Sequence, residues 1–478
     1  MTDGSDGARR PRARADRFWV QACGLAAIAL LFRARALFTD FWLDEIWSYS
    51  LARRARSVAD IFLSPDLKHD NNHQLNTVWL YVLGDQRHWV LYRIPALAAG
   101  LVAVIVAYAI GGHRSRTEGL VAGLGVAGSF MMVVYSTEAR GYALVLLFAL
   151  LAFVALRRYL DAPSLAAGAW FWLWIVLGLA AQTSILHFYL GALLWSGYRL
   201  RGRWRDLVLL HAVPAAWGGL WTACVLFGSR IGGGPPWTWR ALGDQSLAWT
   251  FGYPVSVVPT WLAAGAAGAL VVWDARQLWR EGSDEGLFFG GTIFGPPILV
   301  AALSPPWLFP RYFLVSLLFL LLVAARSLAR LWERPVWGRP TAAVILLLFL
   351  AGNVRQVVPF SQYGRGLASQ AIRTLVDSRP SGEIFVTGQP VDLWSSLPIT
   401  FYEHVLGLGD RLHYVARADL RAPGRPAHMD WLIVQGLTGE AGPAAAMTLA
   451  GDGQFVLAHA YPQYGPSGMV WWLYRRQE

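Results

Sequence analysis

The chain has 478 residues, of which 55% are apolar, 14% aromatic and only 15% charged, with a mean hydropathy of +0.38 and a net charge of +11. Soluble domains carry about 25% charged residues, so this composition excludes an ordinary soluble globular protein and points to a polytopic membrane protein. The basic residues are spread through short loops between apolar runs, which argues against a nucleic-acid surface as their purpose.

The N-terminus, Arg9 to Arg17, is basic and precedes the first long apolar run. A cleaved signal peptide, helped by the small residues Ala34 and Ala36, is one reading. Arg33 and Arg35 interrupt the end of that run and favour an uncleaved first membrane helix. Directly after it stand Trp42-Leu43-Asp44-Glu45, two adjacent carboxylates at a bilayer edge, where charge is expensive. They open an outer loop, 39–88. In it Glu45–Arg56 and Ser57–Leu63 read as interfacial helices, and Leu75–Leu83 as an apolar helix too short to span. Between these lies Lys68-His69-Asp70-Asn71-Asn72-His73.

A bilayer crossing takes roughly 20 apolar residues. The pattern predicts about eleven spans, near 18–38, 89–110, 118–134, 141–157, 166–182, 185–199, 207–228, 255–273, 287–303, 312–328 and 337–354. With the N-terminus inside, every predicted inner segment holds at least two arginines: 9–17, 114–116, 157–158, 199–205, 276–280 and 326–339. This satisfies the positive-inside bias and places loop 39–88 and everything after Val354 outside. A second arginine set runs against that bias. Arg33, Arg35, Arg93, Arg140 and Arg311 all fall at outer ends of spans, where a planar guanidinium suits an anionic headgroup. Loop 229–250, with Gly232-Gly233-Gly234-Pro235-Pro236-Trp237, reads as mobile. Trp237 and Trp239 in it either stack on a sugar or anchor at the interface.

Beyond Val354 the composition changes. Arg365–Val376 has helical periodicity, and 384–387, 412–415, 431–434, 455–459 and 469–474 read as strands. The expected domains are a basic cytoplasmic tail (1–17), a membrane domain (18–354) and an extracytoplasmic α/β domain (355–478). Cys23 and Cys224 both lie in apolar runs, so neither a disulfide framework nor a metal site is expected from them.

Four predicted outer segments carry chemistry: Asp44-Glu45, His69–His73, Tyr135-Ser136-Thr137-Glu138-Ala139-Arg140-Gly141-Tyr142 and Phe309-Pro310-Arg311-Tyr312. In this order they resemble the GT-C superfamily of lipid-linked-sugar glycosyltransferases, in the branch of protein O-mannosyltransferases and aminoarabinose transferases. The resemblance covers about residues 18–330. It implies transfer of a sugar from a polyprenyl-phosphate carrier to a glycan, glycolipid or protein acceptor, on the outer face of a bacterial plasma membrane. It further implies Asp44 as general base with Glu45 as companion, and Arg140 and Arg311 near the carrier phosphate. Arg93, Glu138, Tyr142 and Tyr312 fall among the substrate-binding positions. His73 stands where the family often has a His followed by prolines, but here it is followed by Gln74-Leu75-Asn76.

The residue types suit that chemistry. A carboxylate accepts the proton of a weakly nucleophilic hydroxyl, typically worth ~10²–10⁴ in rate. Arginines in a dry site stabilise the departing phosphate more in the transition state than before it. A single base predicts inversion at the anomeric carbon. The bland readings stand beside these. Asp44 is also a preferred helix N-cap, Glu138 and Arg140 make a plausible local ion pair, and Arg311 follows a helix-starting proline. His187 reads as a packing residue. No cofactor is required. His69, Asp70 and His73 leave a divalent cation open, against a solvated loop. The other functional classes are a transporter or flippase for a lipid-linked glycan and a membrane scaffold. A transporter would be expected to show internal repeats and midplane polar groups, neither of which the sequence displays.

Overall fold

The computed structural model describes residues 6–68, 71–227, 237–303, 308–423, 426–437, 442–449 and 451–477. Each of the eleven apolar segments maps onto helix among these residues. Seven helical stretches are long and apolar enough to cross a membrane: Asp16–Phe38, Val90–Gly112, Tyr142–Asp161, Trp204–Leu226, Gly286–Leu303, Pro310–Trp332 and Gly338–Asp377. The chain is thus a multi-pass membrane protein. The remaining apolar segments are shorter, broken or less apolar. The 118–134 segment, for example, splits into Arg116–Gly128 and Phe130–Tyr135 at Ser129.

The chain divides into two compact units. The first comprises the chain up to Ala34, Arg56–Val78 and Arg93–Val357 and is a helical bundle. Its helices pack through an aromatic cluster in which Phe153, Phe288 and Phe319 meet with ring centroids 4.8 to 5.9 Å apart. Gly191 and Gly291 permit close contact between Ile185–Arg199 and Gly286–Leu303: an added Cβ at Gly191 would lie 2.5 Å from the Phe288 carbonyl oxygen.

At one end of this bundle, several arginines that read as inside signals are ion-paired. Arg326 donates to Glu118 (3.2 Å) and Asp274 (2.9 Å), and Arg330 to Asp274 (2.7 Å) and Glu281 (2.9 Å). Arg114 meets Glu285 at 2.5 Å, while Arg199 and the Trp195 indole share Asp284. Arg326, Asp274 and Glu118 are buried, so desolvation is offset by mutual pairing.

The second unit comprises Arg35–Ala55, Trp79–Tyr92 and Val358 onward. Its centre is a six-stranded mixed sheet of order β2-β1-β3-β6-β5-β4. The strands are β1 (Ile384–Gln389), β2 (Leu412–Tyr414), β3 (Trp431–Leu437), β4 (Ala446–Leu449), β5 (Gly453–Tyr461) and β6 (Met469–Arg476). β1 pairs in parallel with β2 and β3, and the β3–β6–β5–β4 run is antiparallel. Met429, Leu432, Leu449, Phe455 and Tyr474 form one apolar core on this sheet.

Two elements here differ from the sequence reading. Asp392–Leu406 is a helix linking β1 to β2, disguised in sequence by Pro398 in its interior. The edge strand β4 has only four residues and no strong alternation. In the first unit, Trp239–Phe251, read as mobile loop, is a helix whose Thr238 hydroxyl caps the Ala241 N–H at 3.2 Å. Residues 228–236, with Gly232 to Pro236, lie outside the described residues.

Candidate functional site

Within the first unit, the sequence-predicted residues His73, Arg140, Tyr142 and Arg311 come together. His73 precedes the helix Gln74–Leu83. Its loop is fixed by local hydrogen bonds. Thr77 Oγ1 donates to Asn71 Oδ1 (2.9 Å), Gln74 Nε2 to the Asn71 carbonyl, and Asn71 Nδ2 to the Ile61 carbonyl (3.3 Å). Two further bonds tie it to the Ser136–Tyr142 segment. Asn76 Nδ2 donates to the Ala139 carbonyl at 2.5 Å, and the Gly141 N–H donates to His73 Nδ1 at 3.2 Å. The His73 ring stands edge-on to Tyr142, centroids 4.6 Å apart, and Tyr142 in turn packs on Tyr135 at 4.9 Å.

Gly141 is required by close approach. A Cβ there would lie 2.0 Å from the Ala181 carbonyl oxygen and 3.0 Å from His73 Nδ1. Sequence reasoning passed over Gly141, Asn76 and Thr77. The glycine inside Arg140-Gly141-Tyr142 was the available signal.

The electrostatics of this cluster are positive. His73 is 1% exposed, and its pKa is held well below the usual imidazole value. Burial is the main cause, followed by the charges of Arg140 and Arg311; the Ala181 carbonyl acts in the opposite sense. The ring is therefore neutral, with Nδ1 beside the Gly141 N–H at 3.2 Å. Such a ring is a hydrogen-bond donor that adds no charge beside two guanidiniums.

Arg93, Glu138 and Arg140 are buried, and the Arg140 N–H donates to the Glu138 carbonyl at 2.8 Å. Arg311 lies in the short 3-10 turn Pro310–Phe313, its guanidinium 4.4 Å from the Phe309 ring centroid, and Tyr312 packs on the same ring at 5.7 Å. The Phe313 ring lies 5.9 Å from that of His187, in keeping with a packing role for this histidine.

Arg33 does not belong to this set, contrary to the expectation that the outer arginines converge. It is fully buried, and its guanidinium donates to Ser136 Oγ (2.6 Å) and to the carbonyls of Ala29 and Ala127 (both 2.9 Å), with longer bonds to Val126 and Met132. It thus satisfies the carbonyls left open where the helix breaks at Ser129. His69 and Asp70 lie outside the described residues, so the proposed cation cluster has no geometry here. Among the described residues, no group of three or more His, Cys, Asp or Glu could hold a metal ion.

Asp44 and Glu45 belong to the second unit. Their helix, Leu43–Arg54, begins two residues before the sequence reading placed it, with Trp42 as N-cap. Asp44 is therefore inside the first turn and is not the cap. Glu45 is fully buried, and its Oε2 accepts the Trp42 N–H at 3.2 Å. That bond fixes the turn bearing the half-buried Asp44. The preceding segment is held within the same unit. Asp40 accepts from the Ser369 N–H (2.6 Å) and Oγ (2.7 Å), and the Tyr402 hydroxyl donates to the Phe41 carbonyl (2.8 Å). Asp85 accepts from Tyr49 (2.7 Å) and lies 2.6 Å from His404 Nε2. Those contacts, the Tyr49 bond foremost, lower the Asp85 pKa.

No family model and no curated protein sequence matches the chain. Its structure is similar to that of ArnT from Cupriavidus metallidurans in the apo state, with TM-score 0.50 and 15% identity over 88% of this chain and 93% of that one. It is likewise similar to ArnT bound to undecaprenyl phosphate, with TM-score 0.51 and 14% identity over 87% and 93%. The chain shares its overall fold with ArnT.

Proposed function

We propose that this protein is an integral membrane glycosyltransferase that moves a hexosyl or pentosyl group from a polyprenyl-phosphate donor to a hydroxyl acceptor on the extracytoplasmic side. The observation that carries the reading is the positive cluster around neutral His73, formed by Arg140 and Arg311 in a bundle of ArnT-like fold. The ArnT structure with undecaprenyl phosphate supports a carrier of this chemical class. On this reading Arg140 and Arg311, with Arg93, hold the carrier phosphate. The His73 ring donates a neutral hydrogen bond. Glu138, Tyr142 and Tyr312 shape the site around them.

Asp44 is the general base in this proposal. It removes the acceptor proton as the oxygen attacks the anomeric carbon, and the bond to the carrier phosphate breaks with inversion. Glu45 acts through the Trp42 N–H as a positioning residue. The guanidiniums meet charge that grows on the leaving phosphate, so their stabilisation increases along the reaction. Residues 18–354 form the membrane catalytic domain in this reading, 1–17 a cytoplasmic tail and 355–478 an outer domain, in a bacterial plasma membrane. The positive-inside arginines support that orientation.

The experiment is Asp44→Asn in purified protein, measuring sugar transfer and binding of the bare carrier separately. Transfer is expected to fall by about 10²–10⁴ with carrier binding retained. Unchanged transfer would remove Asp44 as the base.

A further inference from the structure

Residues 136–141 join the helices Phe130–Tyr135 and Tyr142–Asp161 and are buried throughout. A buried connection must find partners for its backbone polar groups. At its start these are local: the Ser136 and Thr137 N–H groups donate to the Val133 and Val134 carbonyls at 3.2 and 3.1 Å. Around Arg140 they come from another element. The Ala139 carbonyl accepts from Asn76 Nδ2 at 2.5 Å, and the Gly141 N–H lies 3.2 Å from His73 Nδ1. His73 and Asn76 stand three residues apart at the start of the helix Gln74–Leu83, so one face of its first turn supplies both.

Peptide units are planar, which gives these two contacts a specific consequence. The Ala139 carbonyl belongs to the peptide before Arg140, and the Gly141 N–H to the peptide after it. Holding both planes fixes both soft dihedrals of Arg140, and with them the direction in which its side chain leaves the backbone. The Arg140 N–H itself closes a tight turn onto the Glu138 carbonyl at 2.8 Å, a bond that cannot orient the segment against a second element.

Asn76 is an expensive choice for its place. It is 1% exposed, and its Oδ1 is buried with no hydrogen-bond partner among the described residues. Asparagine is also a poorer helix former than leucine. An apolar side chain of similar size would avoid both costs. What the asparagine adds is its one donated bond, to a carbonyl 63 residues further along the chain.

From this geometry we infer that Asn76 is a positioning residue for Arg140: it holds the preceding peptide so that the guanidinium is aimed at the carrier phosphate. This role rests on the phosphate site proposed above, whereas the clamp on the backbone does not. Asn76 acts through Arg140 alone. Aim matters because displacing a positioned group by about 1 Å can cost up to ~10².

Full-length protein in lipid nanodiscs is the test material, with bare undecaprenyl phosphate as the probe and equilibrium binding as the readout. Asn76→Ala removes the donor. Asn76→Ser, whose hydroxyl ends one bond short of the amide nitrogen, is the second variant, and thermal unfolding shows which of the two are folded. A folded variant is expected to bind the carrier roughly tenfold more weakly than the wild type. In an Arg140→Gln background the same change is expected to cost less than about twofold, because no guanidinium remains to be aimed. A purely structural role would weaken binding equally in both backgrounds. Hydrogen–deuterium exchange across residues 136–142 is expected to rise with either variant. The inference is overturned if a folded variant keeps wild-type affinity while Arg140→Gln alone weakens binding, or if the loss is the same in both backgrounds. Arg140→Gln without effect on carrier binding would instead remove the phosphate role of Arg140, and unchanged exchange in a folded Asn76 variant would overturn the clamp itself.

Discussion

Replacing His73 with Asn probes the charge state on which the proposed phosphate site depends. Asn Oδ1 falls near the position of Nδ1 and keeps an acceptor for the Gly141 N–H, whereas the edge contact with Tyr142 is lost. That contact contributes about 1 kcal/mol, so the variant is expected to be somewhat less stable at every pH. The informative quantity is the pH dependence. In the folded chain the buried ring stays neutral below the ordinary imidazole pKa, because burial, Arg140 and Arg311 all oppose its protonation. In the unfolded chain an imidazole takes up a proton near pH 6.5. The unfolded state therefore binds more protons below that point, and wild-type stability falls as pH falls, with the contribution of this group fully present only above it. Between pH 7.5 and 5.5 the loss attributable to His73 is about 1 kcal/mol. Unfolding of both proteins in nanodiscs at the two pH values measures it, and Asn, which does not titrate, should show a correspondingly smaller decline. Equal declines would mean that the folded ring accepts a proton, and the neutral-donor role would fall.

Arg311→Gln should weaken binding of bare polyprenyl phosphate by about tenfold to a hundredfold, the range for losing a charge-assisted hydrogen bond, measured by equilibrium binding. Arg33→Met should do the opposite, lowering thermal stability while carrier affinity of the folded fraction is unchanged, because its guanidinium serves carbonyls at a helix break. An affinity loss there would return Arg33 to the site. Arg326→Ala removes the paired guanidinium from buried Glu118 and leaves Asp274 with Arg330 alone, and should cost about 3–5 kcal/mol, read as a lower unfolding temperature. An unchanged midpoint would show that the network carries little stability.

Much of the bundle was readable because membrane helices announce themselves through length and apolarity, which a single sequence preserves. What was harder to read depended on contacts remote in sequence. Arg33 and Arg140 look alike as outer arginines, yet one is saturated by the Ala127 carbonyl and Ser136 while the other acts on His73. Only the break at Ser129, invisible in an apolar run, separates them. Asp44 and Glu45 were singled out together, but a capping role went to Glu45 because the helix starts at Leu43. The 392–406 helix was hidden by Pro398, whose propensity tertiary packing overrides. Arg365 and Gly366 read in sequence only as the start of the 365–376 helical pattern, since nothing local reveals that β6 lies against them.

The sheet-bearing unit draws in Arg35–Ala55 and Trp79–Tyr92 from between the membrane helices. Phe41 stacks on Phe401 at 5.3 Å, Asp40 is bonded to Ser369, and Asp85 meets His404. Deleting the tail after Val354 would therefore strip the scaffolding from the helix that carries Asp44. A shortened chain of this kind would therefore be a misleading test of the proposed base: loss of transfer in it would report the missing scaffold and say nothing of the role of Asp44.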